Sequence, residues 1–537
     1  MPRPRMGSIV RDSGETSSPA RLRAVSSAVE NAIDRSGHAL QVLGRAARDA
    51  RRRAWAELHR PETLALVAIV AIGVVLRLYF LIRWRPALVG FPDSTTYMQI
   101  AHTGIFDNPF RAGGYGEFLR LMHGVRPYLR FAIGVQHLLG IASGLLLYAA
   151  MRRAGGPRWL GLVPAAVVML GGSELFLEHA PLSEALFIFL VDLALYALVR
   201  TWHGHAAWAL LAGLALGAAT DVRAIGQAVV VVMAITTLLT PGRWRRRLLV
   251  TVLLVAGAVS PVLYYTHESE ATIGRGGLTS TGYFDLYARV APFAQCGKFH
   301  PPKELERLCI TTPVSQRPGH DEWEYTTISP AFRVFGDPDI SVAPGENAQL
   351  RRFAIDAILG QPLRYAEYVG RDLVRIVDPS FSSSPYARIG NAGYGNTPES
   401  LLGYYFLAST SAGAAVVIGE YYPGDVTVHD GINFLTTYEK DTRLEGPAMA
   451  LLLLLALAAP FVTHADQRRA ATLFLAAALV LLVAPILTSE YDYRFTVPAF
   501  GSLAAAAAYG AWGCGVILAR RARARRPHMS PAPQHSK

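Results

Sequence analysis

In five places along this 537-residue chain, ionisable residues stand within or beside long apolar runs. Arg77 lies inside the first run, and Asp93 follows it in the segment Phe91-Pro92-Asp93-Ser94-Thr95-Thr96-Tyr97. Glu174, Glu178, His179 and Glu184 surround a second turn, Asp221 and Arg223 form a third, and Glu490, Asp492 and Arg494 form the last. Charged groups at membrane depth are expensive, so they are read first as functional. Arginines bind phosphate through forked hydrogen bonds. A carboxylate can take a proton from an attacking hydroxyl. Together these residue types fit a recess for a substrate with an anionic head and a lipid tail. Plainer uses compete for each of them. Arg77 and Arg494 can snorkel to headgroups, Asp221 and Arg223 can pair only with each other, Glu174 can end a helix, and mid-span Asp192 can bond a neighbouring helix.

Membrane-spanning helices would position these groups. The chain is 51% hydrophobic and 17% charged, against roughly a quarter charged in soluble domains. Apolar runs at 63–82, 131–151, 160–176, 183–199, 206–220, 224–239, 248–265, 448–462, 471–487 and 497–518 give an all-α polytopic membrane protein of about ten spans. Dense arginines at Arg51–Arg53, Arg152-Arg153, Arg243–Arg247, Arg468-Arg469 and Arg520–Arg526 fall on one side if the N-terminus is inside. That is the positive-inside pattern. It assigns the net charge of +12 to membrane orientation and argues against nucleic-acid binding. Both termini are then cytoplasmic, and the four turns that carry Asp93, Glu184, Asp221 with Arg223, and Arg494 share the outer side. The first sixty residues lack the short apolar core of a cleavable signal. Their later part, 22–60, fits a basic helix lying on the inner surface.

The resulting organisation is a basic cytoplasmic tail (1–62), a first transmembrane module (63–265) with an outer loop at 83–130, a large mixed outer domain (266–446), a C-terminal transmembrane module (447–520) and a basic tail (521–537). Within the outer domain, 347–359 and 362–377 fit amphipathic helices, and the apolar stretch 409–418 fits a buried or interfacial segment rather than a span. Cys296 and Cys309 lie in this domain, where an oxidising compartment favours a disulfide; Cys514 reads as a packing residue. Gly213 and Gly217 make a Gly-x-x-x-Gly face, whose plainer meaning is close helix packing.

At the ionisable residues the chain resembles the GT-C superfamily of polytopic glycosyltransferases, most nearly the bacterial branch related to protein mannosyltransferases and lipid A aminoarabinose transferase. The resemblance rests on Asp93 with Tyr97 in the first outer loop and on Pro181-Leu182-Ser183-Glu184 opening the fourth span. It rests also on the glycine-rich run from Gly213 into Arg223, on Tyr493-Arg494 before Pro498, and on Arg77 in the first span. It covers 63–265 and the last outer turn, but not 266–446. One departure is that Asp93 is followed by Ser94 rather than a second acid. A second acidic contribution would come from Asp107, Glu117 or the Glu178–Glu184 turn.

The resemblance implies transfer of a sugar from a polyprenyl-phosphate carrier, with inversion, on the outer side of a bacterial cytoplasmic membrane. The acceptor would be a cell-envelope glycan, lipid or protein. Asp93 would be the general base, with Glu184 as its catalytic partner. Arg223, Arg494, His179 and Arg77 would bind the donor phosphate; Tyr97, Glu178, Asp221 and Tyr493 would contact substrate. Some relatives use a divalent cation and others do not, which leaves a cation open and no cofactor certain. Two readings compete: a lipid-linked sugar transporter or flippase, and a non-catalytic scaffold for envelope assembly. A transporter has less need of a large outer domain or an acid in the first loop.

Overall fold

The glycine-rich face of the fifth apolar run decides how the first half of the bundle packs. A computed structural model of the chain describes residues 59–88, 92–106, 108, 110–279, 282–336, 343–378, 421, 422, 427, 428 and 432–524. Most of the two tails, the stretch 409–418 and Asp107 lie outside the described residues. The chain divides into two units, Met1–Ala65 and Leu66–Lys537. Of the first unit only residues 59–65, at the start of a helix, are described.

In chain order the helices are α1 (Pro61–Arg83), α2 (Pro92–Thr103), α3 (Gly114–Val125), α4 (Leu129–Ala154), α5 (Leu162–Leu170), α6 (Gly172–His179), α7 (Glu184–His203), α8 (Trp208–Val222), α9 (Gly226–Leu239) and α10 (Trp244–Ile273). There follow α11 (Gly282–Val290), α12 (Cys296–Phe299), α13 (His320–Tyr325), α14 (Pro330–Phe335), α15 (Pro344–Gly360) and α16 (Pro362–Arg375). The last are α17 (Ile432–Thr442), α18 (Gly446–Val462), α19 (Ala465–Thr488), α20 (Tyr493–Thr496) and α21 (Phe500–Ala524).

Seven helical stretches among the described residues are long and apolar enough to cross a membrane. The count becomes eight if the pair 158–170 and 172–179, bent by 47°, is one span. α8 and α9 are the fifth and sixth expected spans, and they are only 15 and 14 residues long. Roughly 20 helical residues are needed to cross the hydrocarbon core. Large apolar side chains nevertheless cover the outside of the bundle, for example Phe461 at 84% and Leu454 at 67% exposed. A water-facing protein hides such a surface; lipid tails cover it at no cost. The chain is therefore a multi-pass membrane protein.

The core forms where small residues let backbones meet. A Cβ on Gly213 would lie 2.2 Å from the Leu254 carbonyl, and one on Gly257 would lie 2.6 Å from that of Leu210. α8 and α10 thus touch backbone to backbone, the packing use of the Gly-x-x-x-Gly face. Gly213→Leu should therefore force the pair apart and cost about 1–3 kcal/mol or more, read as a lower detergent melting temperature. An unchanged melting temperature would mean that α8 and α10 do not need this contact. α21 repeats the device, since a Cβ on Gly510 would meet the Leu455 carbonyl of α18 at 1.9 Å. At the arginine-rich end, Arg246 of α10 donates to the carbonyls of Thr201 (2.6 Å) and Gly204 (2.8 Å), favourable for a cation at the end of α7.

The segment between α10 and α18 carries a second hydrophobic core around Phe284, Tyr287, Phe293, Trp323, Leu350 and Phe353. Cys296 and Cys309 are bonded as a disulfide across 13 residues of sequence. The described part of this segment is almost wholly helical, with a two-residue strand at Thr427–Val428. Among the described residues the only strand pairing is Trp84–Arg85 with Thr427–Val428. The helices expected at 347–359 and 362–377 appear as α15 and α16. Tyr365 of α16 donates to the Leu487 carbonyl of α19 at 2.8 Å, tying this module to the bundle.

Candidate active site

Four elements deliver the central residues. α2 carries Asp93 in its first turn, and α7 opens on Glu184. Arg223 is the residue at which α8 stops. Arg494 is held in the short α20, which Asp492 caps by accepting from the Arg494 backbone amide at 3.0 Å. Capping of this kind fixes the first turn of a helix, and here it fixes the residue that reaches the site.

Arg494 joins both carboxylates. Its Nη2 donates to Asp93 Oδ2 at 2.7 Å, and its Nε lies 3.1 Å from Glu184 Oε1. Arg223 Nη1 is 2.5 Å from the same Glu184 oxygen and donates to Ser183 Oγ at 3.1 Å. Both contacts of Glu184 are ion pairs by distance, though neither has the alignment of a hydrogen bond. Arg111 donates to Asp93 Oδ1. The Phe495 ring lies beneath two guanidiniums, Arg494 at 5.2 Å and Arg223 at 5.5 Å, distances suited to cation–π attraction. Tyr97 donates to Ser183 Oγ at 3.0 Å. Ser183 stands at the N-cap of α7 without capping it; its hydroxyl links Tyr97 to Arg223 instead.

Two carboxylates and three guanidiniums thus meet at one end of the bundle. Burial would raise the pKa of Asp93, but the charges of Arg111 and Arg494, the Arg494 hydrogen bond and the charge of Arg223 outweigh it and hold the carboxyl well below the usual range. A depressed folded-state pKa adds stability that is complete above the unfolded value of about 3.9 and is lost as the pH falls below it. Melting curves are therefore expected to show nothing from this group between pH 7 and 5 and a decline below about pH 4. Asp93→Asn should flatten that acid limb. An equally steep limb in the variant would show that the ion pairs add no stability.

The other expected residues lie elsewhere. Arg77 and Glu178 are bonded to each other and, through His137, to His179. Arg77 grips Glu178 with two hydrogen bonds of 2.8 and 2.7 Å, and a third reaches the Met169 carbonyl at 2.7 Å. His137 Nδ1 lies 2.8 Å from Glu178 Oε2, its Nε2 lies 3.2 Å from His179 Nδ1, and His179 Nε2 meets the Trp84 carbonyl at 2.8 Å. Groups this buried must find partners inside the protein, and these have found one another rather than an open face. Tyr493, although next to Arg494, is buried against Ser173 Oγ at 2.8 Å. Asp221 does not pair with Arg223 among the described residues; Arg223 turns to Glu184. Among the described candidates for a second acid, Glu184 shares Arg494 with Asp93; Asp107 lies outside the described residues.

Sequence reasoning missed Arg111, Phe495 and the linking role of Ser183. Arg111 is one of six arginines in the long first loop and has no periodic signal, although its place between Phe110 and Tyr115 was a faint one. It also missed His137 and Gln136, which lie mid-helix in α4. Gln136 Nε2 donates to the carbonyls of Glu178 and Ala180, both at 2.8 Å.

A divalent cation does not fit at Asp93. Three guanidiniums already line the two carboxylates, and no further oxygen or nitrogen ligand converges on them among the described residues. The one His, Asp and Glu group there whose ligand atoms converge is Asp285, His320 and Glu324; it does not include Asp93, although Asp285 is close enough to feel the charges of Asp93 and Arg111.

No protein-family model matches the chain, and no curated protein matches it in sequence. Solved structures do match. The oligosaccharyltransferase of Archaeoglobus fulgidus, in the apo form, is 12% identical over 87% of this chain, with a TM-score of 0.42. The same archaeal enzyme, AglB, in complex with an inhibitory peptide and a dolichol-phosphate is 14% identical over 88%, with a TM-score of 0.41. The protein O-mannosyltransferase Pmt1-Pmt2 of S. cerevisiae, bound to its sugar donor, is 15% identical over 43% of this chain and 36% of its own, with a TM-score of 0.33. These structural neighbours are GT-C superfamily membrane glycosyltransferases. The chain spans about half the length of the archaeal structures, 52% in each case. The likeness to the GT-C enzymes is distant.

Proposed function

We propose that this protein is a membrane glycosyltransferase that moves a sugar from a polyprenyl-phosphate carrier to an acceptor hydroxyl. The observation that supports this best is the sharing of Arg494 between Asp93 and Glu184, with Arg111 and Arg223 alongside. Three guanidiniums form a cradle for a phosphate. Two carboxylates offset two of its three charges until the phosphate arrives.

The chemistry follows from the charges. A carboxylate held far below its ordinary pKa is a weak base. When the donor phosphate takes over Arg494 and Arg111, Asp93 loses the partners that depress it and becomes able to accept a proton. The acceptor oxygen then attacks the anomeric carbon while Asp93 takes its proton. The bond from that carbon to the phosphate oxygen breaks, and the phosphate leaves with its electrons onto Arg223, Arg494 and Arg111. Attack opposite the leaving group inverts the anomeric centre. Glu184 keeps Arg223 and Arg494 aimed at the phosphate.

The arginine clusters at the opposite end of the bundle favour cytoplasmic termini and an outward-facing site, as in a bacterial cytoplasmic membrane. The acceptor is then a component of the cell envelope. Mass spectrometry of lipids from cells lacking the protein tests this reading. A polyprenyl-phosphate sugar should accumulate, and wild-type protein should clear it with formation of a new glycosidic bond. If the sugar lipid instead crosses proteoliposome membranes with no bond formed, the protein is a transporter. If neither happens, it is a scaffold.

A further inference from the structure

We propose that Asp285, His320 and Glu324, with Glu490 as a fourth donor, bind a borderline divalent cation such as Zn2+, which clasps the helical outer module to the turn that carries Arg494.

The donors come from three separate elements. Asp285 belongs to α11, His320 and Glu324 to α13, and Glu490 to the link between α19 and α20. The ligand atoms of Asp285, His320 and Glu324 all lie within 4.8 Å of one another. His320 Nδ1 is 3.6 Å from Glu324 Oε2 and 3.9 Å from Glu490 Oε1. Tetrahedral zinc with bonds of about 2.0–2.2 Å sets its ligand atoms roughly 3.3–3.5 Å apart. The separations of 3.6 and 3.9 Å are a few tenths of an ångström longer than that, a gap that small side-chain shifts on binding would close.

The imidazole supplies an independent sign. His320 Nε2 faces the backbone carbonyl of Asp285 at 3.2 Å. A carbonyl can only accept, so Nε2 carries the proton. In the neutral ring this leaves the Nδ1 lone pair directed at the two carboxylates. Metal-binding histidines are held in this way, one nitrogen donating to a carbonyl and the other ligating the metal. Asp285 and Glu324 are hydrogen-bonded to each other, which needs a proton between the two carboxyls; a divalent cation would take the place of that proton. One nitrogen and three oxygens suit zinc better than magnesium or calcium. His320 and Glu324 are 7% and 3% exposed, so the site is shielded. Glu490 lies two residues before Asp492, the cap of α20. A cation here would steady the turn that presents Arg494 without touching the reacting atoms.

The test uses the full chain purified in detergent, and its readouts do not depend on sugar transfer. Elemental analysis after zinc supplementation and dialysis should find about one zinc per chain, falling below about one-tenth in His320→Gln/Glu324→Gln. EDTA should lower the melting temperature of the wild type and leave that of the double variant unmoved. Zinc-edge absorption should show one nitrogen and three oxygens at about 2.0–2.2 Å. If the double variant does not fold, Glu324→Cys serves in its place, retaining zinc and adding a sulfur ligand at about 2.3 Å. The proposal is overturned if the wild type takes up no zinc in a stoichiometric titration. It is also overturned if the double variant binds zinc as well as the wild type, or if Glu324→Cys shows no sulfur ligand.

Discussion

Asp93→Asn is expected to lower sugar transfer by about a hundredfold to ten-thousandfold, the usual contribution of a positioned general base. The substitution keeps the size of the side chain and removes its basicity. The surrounding arginines keep other contacts. Arg494 still meets Glu184 and the Phe495 ring, and Arg111 still packs on Phe110, 4.6 Å from its ring centroid. The fold should therefore survive. In cells lacking the protein, the Asn variant should reach the membrane at wild-type abundance and still leave the lipid-linked donor uncleared. Normal clearance by the variant would remove Asp93 from the chemistry.

The second large effect concerns stability. Glu178→Ala should destabilise the bundle by about 3–5 kcal/mol, the cost of leaving a buried charge without its partner. Arg77 is 3% exposed, and its strongest bonds go to Glu178. His137 loses its carboxylate at the same time. Removing both members of the pair, Arg77→Met with Glu178→Leu, should recover most of that loss, because apolar replacements of a buried ion pair are often neutral. Unfolding in mixed micelles measures both. If Glu178→Ala is as stable as wild type, the network does not hold α1 to α6. If the double variant is no better than the single, these residues do more than satisfy each other.

These two networks separate what could be read in the sequence from what could not. The spans were legible because each is an apolar run, and arginine clusters gave them a common polarity. Asp93, Glu184, Arg223 and Arg494 could be grouped because each sits where a span meets a loop on the same side. Arg77, Glu178 and His179 carried the same signal of a charge beside an apolar run. What distinguishes them is a change of direction at Gly171, where the backbone turns extended and α6 swings by 47° into the core. That bend brings Glu178 onto Arg77. No periodicity in 160–176 announces it. Arg111 stayed hidden for the opposite reason, because a loop arginine far from any apolar run looks like solvent-facing charge. Of the helical core around Phe284 and Trp323, the part carried by Leu350 and Phe353 was legible as an amphipathic helix; the short helices before it, among Gly, Pro and Tyr, had no periodic signal.

The central claim is that Asp93 occupies the place of the donor phosphate among Arg111, Arg223 and Arg494. Binding of polyprenyl phosphate to the purified protein in nanodiscs tests this most directly. Removing the competing carboxylate in Asp93→Asn should tighten binding about tenfold, since a charge-assisted hydrogen bond is worth roughly 1.5–3 kcal/mol and each 1.4 kcal/mol is a factor of ten. Arg494→Ala should weaken binding by a similar factor. Unchanged or weaker binding by Asp93→Asn would contradict the account, because carboxylate and phosphate would then not share the arginines.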